Sequence, residues 1–273
     1  MLPRELEDAL AAIYSSNVNW SVCVRDKSGE KMVTHGEDVV LSTASIGKLF
    51  LLLGVACRLQ DGSLSPVARL ARQEDLLVSN SGIWQYLTID ELPIEDLALL
   101  VASVSDNLAT NVLLHHLGLG EVQRLSGDLG FRRTALRDRV KNSRGPEDEP
   151  SLSSGTAEEL SLFMTLLARR KLISEAVSVR MLGWLATNMD LSMVASGFGL
   201  DPLAHTSPDR GLRLYNKTGT DEGVRGDVGI VGGPTTSVSY AVLANWSHGQ
   251  DSRDEVLASM HGLGVALRRI VGS

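Results

Sequence analysis

The apolar positions of this chain change period twice. Leu6, Leu10 and Ile13 recur at helical spacing, and then Trp20-Ser21-Val22-Cys23-Val24 reads as a strand. Lys27-Ser28-Gly29-Glu30 supplies a glycine turn, and Lys31-Met32-Val33-Thr34 returns, which is the pattern of a β-hairpin. From Ile46 to Gln60 the period becomes helical, with Leu49, Leu52, Leu53 and Ala56 on one face. The middle third keeps that period, over Asp90 to Val104 and Leu108 to His116. Thr156 opens a further helix as N-cap, with Glu159 three places on as in a capping box, and another runs from Ser174 to Leu185. Strands return at Leu212 to Lys217, Asp227 to Val231 and Ser237 to Trp246, and Asp254 to Val271 is an amphipathic helix.

This order predicts an α+β fold. Residues 1–44 and 211–273 form one discontinuous domain, an antiparallel sheet flanked by the two terminal helices. Residues 45–210 form an inserted all-helical domain, with the active site expected at the interface. Arg137 to Ser154 is polar and carries Gly145, Pro146 and Pro150, the makings of a long loop of the kind that is usually functional or disordered.

Composition narrows the partners. The 273 residues, 43% of them hydrophobic, are enough for a full core. A net charge of −7 repels phosphate backbones, so no nucleic acid is expected. The longest apolar run, Leu49 to Cys57, is far shorter than the roughly 18 residues of a membrane span. Acidic residues follow Met1-Leu2-Pro3-Arg4 at once, where a secretory signal would continue apolar. The expectation is a soluble cytoplasmic protein, with no membrane partner, or a secreted one if a leader has been removed. Cys23 and Cys57 read as free thiols. His115 and His116 are adjacent on a helix and point about 100° apart, so no metal site and no cofactor are expected.

Three short strings carry chemistry. Ser-x-x-Lys occurs twice, and Ser28-Gly29-Glu30-Lys31 falls in the hairpin turn, where Ser and Gly are expected. Ser45-Ile46-Gly47-Lys48 lies where a Ser/Thr-rich segment enters a buried helix. Ser45 there is either a helix cap or a nucleophile. Lys48, three residues on and on the same face, is a base for it if burial or a second cation lowers its pKa. Ser105-Asp106-Asn107 falls between two helical segments and reads singly as a cap. Lys217-Thr218-Gly219 ends a strand, where Gly lets a ligand approach the backbone.

Together, and in this order, the three strings resemble those of class A serine β-lactamases and penicillin-binding proteins. Ser81-Gly82-Ile83-Trp84-Gln85-Tyr86, Ser105-Asp106-Asn107-Leu108-Ala109-Thr110-Asn111 and Gly223-Val224-Arg225-Gly226-Asp227-Val228-Gly229-Ile230-Val231 are also similar to that superfamily, so the likeness spans most of the chain. The resemblance implies that Ser45 is acylated, that Lys48 is its base, and that Ser105 relays a proton to the leaving nitrogen. It implies that Asn107 binds the substrate's amide side chain, and that Lys217 and Thr218 bind its carboxylate while Lys217 helps keep Lys48 neutral. The backbone N–H groups of Ser45 and Thr220 would hold the oxyanion, and Arg225 is a further carboxylate anchor. The substrate is then a small molecule with a carboxylate, β-lactam-like, and the protein a monomer.

One element departs from the pattern. The class A deacylating Glu stands about 35 residues after the Ser of Ser-Asp-Asn, in a Glu-Pro-x-Leu-Asn string. Glu149-Pro150-Ser151-Leu152 resembles that string, but the register places the Glu position at Val140 or Lys141. Either Glu149 folds back as the base or the base is absent. The functional expectation is a serine hydrolase opening a β-lactam or related cyclic amide or ester. Its alternative is a penicillin-binding or transacylating relative with slow deacylation. A third reading is a non-catalytic module that binds a carboxylate ligand.

Overall fold

The structure is a computed structural model that describes residues 4–14, 16–247 and 249–272. The Met1-Leu2-Pro3 start lies outside them. Helix α1 (Arg4–Tyr14) leads into the hairpin β1 (Asn19–Arg25) and β2 (Lys31–His35). The hairpin turn forms as its residues predict. Asp26 Oδ1 accepts hydrogen bonds from Ser28 N and Oγ and from Glu30 N, at 2.8, 2.6 and 3.0 Å. Lys31 is ion-paired to Glu158 and Glu37, so this second Ser-x-x-Lys belongs to a surface turn.

The short strand β3 (Leu41–Ser42) delivers the chain to a 3₁₀ turn, Ala44–Gly47, which runs directly into α2 (Lys48–Gln60). Residues Lys48 to Ala56 of α2 are all buried, so this helix is the axis of the helical layer. Around it lie β4 (Arg69–Ala71), β5 (Glu91–Pro93), α3 (Ile94–Ser103), α4 (Asn107–Leu117), α5 (Leu119–Asp128) and β6 (Ala135–Leu136). β7 (Ser153–Gly155), α6 (Ala157–Ala168) and α7 (Glu175–Leu185) complete that half. The chain ends with β8 (Arg213–Asp221), β9 (Val224–Gly232), β10 (Ser237–Asn245) and α8 (Arg253–Gly272).

β2-β1-β10-β9-β8 form one antiparallel sheet, so the first and last strands of the chain meet at its centre. Both faces of this sheet are buried. Trp20, Val22 and Val24 of β1 and Val238, Tyr240 and Val242 of β10 face one core, while Cys23, Ala241 and Leu243 face the other. That is why these strands read as continuous apolar runs. Fully burying each such side chain contributes roughly 1.5–3 kcal/mol.

The terminal helices flank the sheet as the element order predicts, though not one to each face. α1 and α8 pack together on one face, and α6 covers the other. The expected boundary at residue 210 also does not match the cores. Met193, Val194, Ala195 and Phe198, in and beside the 3₁₀ turn Val194–Phe198, pack with α1 and α8. Long-range packing made this division, and no local pattern marks it. The capping box at α6 is half formed. Thr156 Oγ1 accepts from Glu159 N at 3.2 Å, but the Glu159 carboxylate turns away to accept from the backbone N of Arg132 and Arg133.

Candidate active site

The Ser45 turn is held from two sides. On one side Thr43 N donates to Ser153 O at 3.0 Å, and Ser153 Oγ donates to Ala44 O at 2.5 Å. Ala44 takes a left-handed φ of +46°, a conformation that costs a non-glycine residue and persists only where surroundings impose it. On the other side stands β8, the edge strand of the large sheet. A Cβ built on Gly219 would lie 2.2 Å from Thr43 O and 3.1 Å from Ile46 Cγ1. The glycine of Lys217-Thr218-Gly219 therefore clears space for the turn that carries Ser45. β8 also continues past it to Asp221, so the string is mid-strand. Gly219→Ala should displace the Ser45 turn, cost about 1–3 kcal/mol of stability and lower Ser45 acylation more than tenfold by mass spectrometry. Unchanged acylation in a folded variant would refute this role.

Ser105 occupies the corner between α3 and α4 with φ +54°, also left-handed. Asp106 makes that corner rigid. Its Oδ1 accepts from Ala109 N at 2.9 Å as N-cap of α4, and its Oδ2 accepts from Ile83 N and Trp84 N, both at 2.8 Å. Gly82, at φ +109°, is the residue that permits this clasp, since a Cβ there would lie 2.4 Å from Asp106 Oδ2. So the cap reading of Ser-Asp-Asn holds for Asp106, and the cap also presents its two neighbours.

Those neighbours meet Lys48. Lys48 Nζ, at the first residue of α2, lies 2.7 Å from Ser105 O, 3.2 Å from Ser105 Oγ and 2.8 Å from Asn107 Oδ1. Nζ is the donor in all three contacts, so Ser105 and Asn107 together fix the amine. Asn107 Nδ2 donates to Ser79 O at 2.9 Å, which fixes the amide. Lys217 is equally buried and donates from Nζ to Thr218 O at 2.9 Å. Burial pushes both lysines down, Lys48 well below the ordinary range and Lys217 to about 8. The Lys217 charge lowers Lys48 further, while Asp190 and Asp227 hold Lys217 up.

Two cavities open onto Ser45, and Ser81 and Thr220 line both. The larger, about 840 Å³, is also walled by Asn107, Val140, Lys141, Arg225 and Arg253. The smaller, about 350 Å³, is walled by Ser105 and Thr218. Ser45 and Thr220 thus stand between the two cavities, with Asn107 and Arg225 on the larger and Ser105 and Thr218 on the smaller, while the buried Lys48 and Lys217 line neither. Arg225 is fixed: its guanidinium carbon stands 5.8 Å from the Trp246 ring centroid, and Nη1 donates to Asp221 O and Val224 O.

Glu149 is absent from that space. The loop from residue 137 is folded by its own ion pairs, Asp138 with Lys141 and Arg144, and Lys141 with Asp148. Asn111 clamps Val140 by both backbone groups, accepting from Val140 N at 2.9 Å and donating to Val140 O at 3.0 Å. Val140 and Lys141 face the larger cavity, while Glu149 is exposed outside it. The loop path therefore puts Val140 and Lys141, and not Glu149, on the wall of the larger cavity. Ser153 and Asp190 shape the site but carried no sequence signal beyond being polar. Among the described residues no cluster of His, Cys, Asp and Glu is placed to hold a metal, and no helix is long and apolar enough to cross a membrane.

Among solved structures, a β-lactamase from Sphaerobacter thermophilus is 23% identical with a TM-score of 0.84, covering 98% of this chain and 97% of that one. PBP-A is 18% identical at a TM-score of 0.82, over 99% and 98%. An ancestral class A β-lactamase is 22% identical at 0.79, over 97% and 99%. These likenesses show the fold. No curated protein matches the sequence. The family model described as the β-lactamase enzyme family matches residues 4–263, and with nearly the whole chain inside that match, this protein belongs to the β-lactamase enzyme family.

Proposed function

We propose that this protein is a serine acyl enzyme that opens a β-lactam or related cyclic amide or ester and releases the acyl group slowly. The observation that carries this reading is Lys48, a buried amine held between Ser105 and Asn107, three residues from Ser45. Neutral Lys48 takes the proton as Ser45 Oγ attacks the carbonyl. Ser105 passes a proton to the leaving nitrogen. The N–H groups of Ser45 and Thr220 receive the oxyanion, where one donor is worth roughly 3–4 kcal/mol. Lys217, Thr218 and Arg225 take the substrate carboxylate, and Asn107 its amide side chain.

Slow release is supported by the loop. Val140 offers no base, and Lys141 is a cation whose pKa is raised by Asp138 and Asp148. An oriented base typically contributes about 10²–10⁴-fold. A PBP-A variant exists as an acyl-enzyme complex with penicillin G, which fits a fold that can hold such an adduct. Fast hydrolysis is the second reading, favoured by the family and by relatives described as β-lactamases. A chromogenic cephalosporin followed by turnover and by intact mass separates the two. A burst with a stable adduct, lost in Ser45→Ala, is expected. Steady turnover without accumulation supports the second reading, and an adduct surviving Ser45→Ala refutes the nucleophile.

The two lysines set a pH profile. Lys217 must be charged to bind a carboxylate, and with a pKa of about 8 it is lost as a cation above that pH. Lys48 must be neutral, which low pH opposes. The acylation constant for an anionic substrate should therefore rise from acid pH and fall through about pH 8. A profile still flat well above pH 8 would exclude a role for the Lys217 charge.

A further inference from the structure

The smaller cavity carries a carboxylate, Asp190, to which the acyl chemistry gives no contact with substrate. Among the described residues Asp190 is the one Asp, Glu, Lys, Arg or His on its wall, which it shares with Ser105 and Thr218. The segment bearing it is pinned. Met189 N donates to Ser103 O at 2.9 Å, next to the Ser105 corner, and Asn188 Nδ2 donates to Asn216 Oδ1 at 2.9 Å, beside Lys217. Ser192 then aims the carboxylate, giving hydrogen bonds from N and Oγ to Asp190 Oδ1 at 3.1 and 2.6 Å. The other oxygen, Oδ2, has no hydrogen-bond partner or ion pair among the described residues. Half-buried, oriented and one-sidedly satisfied, it is a preformed acceptor for a cation.

Position says which part of a substrate arrives there. In the reading proposed above, Ser105 serves the leaving nitrogen, so the side of Ser45 toward Ser105 receives the leaving group. By microscopic reversibility an acyl acceptor enters by the same side. We propose that the smaller cavity is the leaving-group and acceptor subsite, and that Asp190 selects a group bearing a remote ammonium. An amine acceptor with one reacting nitrogen and a second, protonated one fits it. In that transfer the neutral nitrogen forms a C–N bond to the acyl carbon and the ester bond to Ser45 Oγ breaks. The nitrogen gives up one proton through Ser105, and Oγ regains one, so atoms and charge balance. Water positioned by a loop carboxylate is then unnecessary, which agrees with Val140 facing the cavity.

This inference rests on the proposed acyl chemistry, and its test has two arms. In the first, two esters share one acyl group and differ only in an ammonium or an uncharged isostere on the leaving group. The native protein should prefer the ammonium ester about tenfold in kcat/KM, and Asp190→Asn should reduce that ratio to about one. A ratio retained while both esters slow equally would assign Asp190 to support of Lys217 and overturn the inference. The second arm needs no catalysis. Ethylenediamine is titrated while amide NMR signals of Ser103, Ser105 and Thr218 are followed. Binding should weaken about tenfold in Asp190→Asn, and equal affinity in both proteins overturns the inference. Failure of Ser45 to take up acyl from either ester defeats the functional reading, while the titration still decides the subsite.

Discussion

Lys48→Met is expected to lose the acyl adduct, with acylation slowed at least 10²–10⁴-fold, the usual contribution of an oriented base. Lys48→Arg is expected to fail as well, because a guanidinium stays protonated and has no lone pair to give. The contrast with a structural role lies in stability. Native Lys48 has its pKa well below the ordinary range, mainly by burial. Where only the unfolded chain holds that proton, stability rises with pH, so buried Lys48 costs stability near neutrality. Lys48→Met removes this cost but leaves Ser105 O and Asn107 Oδ1 without their donor, at about 1–3 kcal/mol each. The opposed effects predict a folded variant with a modest change in melting temperature and no adduct. A variant that melts far lower would make Lys48 a structural residue first, and a variant that acylates normally would remove it from the chemistry.

Val140→Glu should produce the opposite phenotype. The backbone at this position is clamped by Asn111, so a carboxylate there starts from a fixed Cα on the cavity wall. Decay of the penicillin adduct, followed by intact mass, is expected to accelerate about 10²-fold or more. Acylation depends on Ser45, Lys48 and Ser105 and should change far less. Glu149→Gln should leave adduct decay unchanged, since Glu149 is exposed outside the cavity. Slower decay in Glu149→Gln, or native decay in a folded Val140→Glu, would mean that water is activated elsewhere.

Much of this was legible along the chain, for stated reasons. The period-2 and period-3.6 runs mark β1, β2, β8, β9, β10, α2, α4 and α8 because each buries an apolar face that recurs locally. Spacing alone set Lys48 three residues after Ser45 and put Asp106 at the start of α4. The weaker elements escaped. α5 carries Gly120 and Gly127 and only Val122 and Ser126 fully buried, so its apolar period is faint. The paired strands β3, β6 and β7 are two or three residues long, too short to show alternation.

What only the tertiary structure decided is where the motifs meet and which way the loop faces. Ser105 and Lys48 are fifty-seven residues apart in sequence and share a hydrogen bond. Neither has meaning as a pair until the Asp106 clasp and the α2 entry bring them together. Glu149-Pro150-Ser151-Leu152 looks functional as a string, yet Asp138, Lys141, Arg144 and Asp148 pair so that Val140 faces the cavity instead. Gly219 looked like room for a ligand and is room for Thr43 O. Sequence by itself determined the chemical groups and their local presentation, because those depend on neighbours a few residues away. Structure decided their convergence, the lowered pKa of both lysines and the absence of Glu149 from the cavity, because burial and long-range contacts are properties of the packed chain.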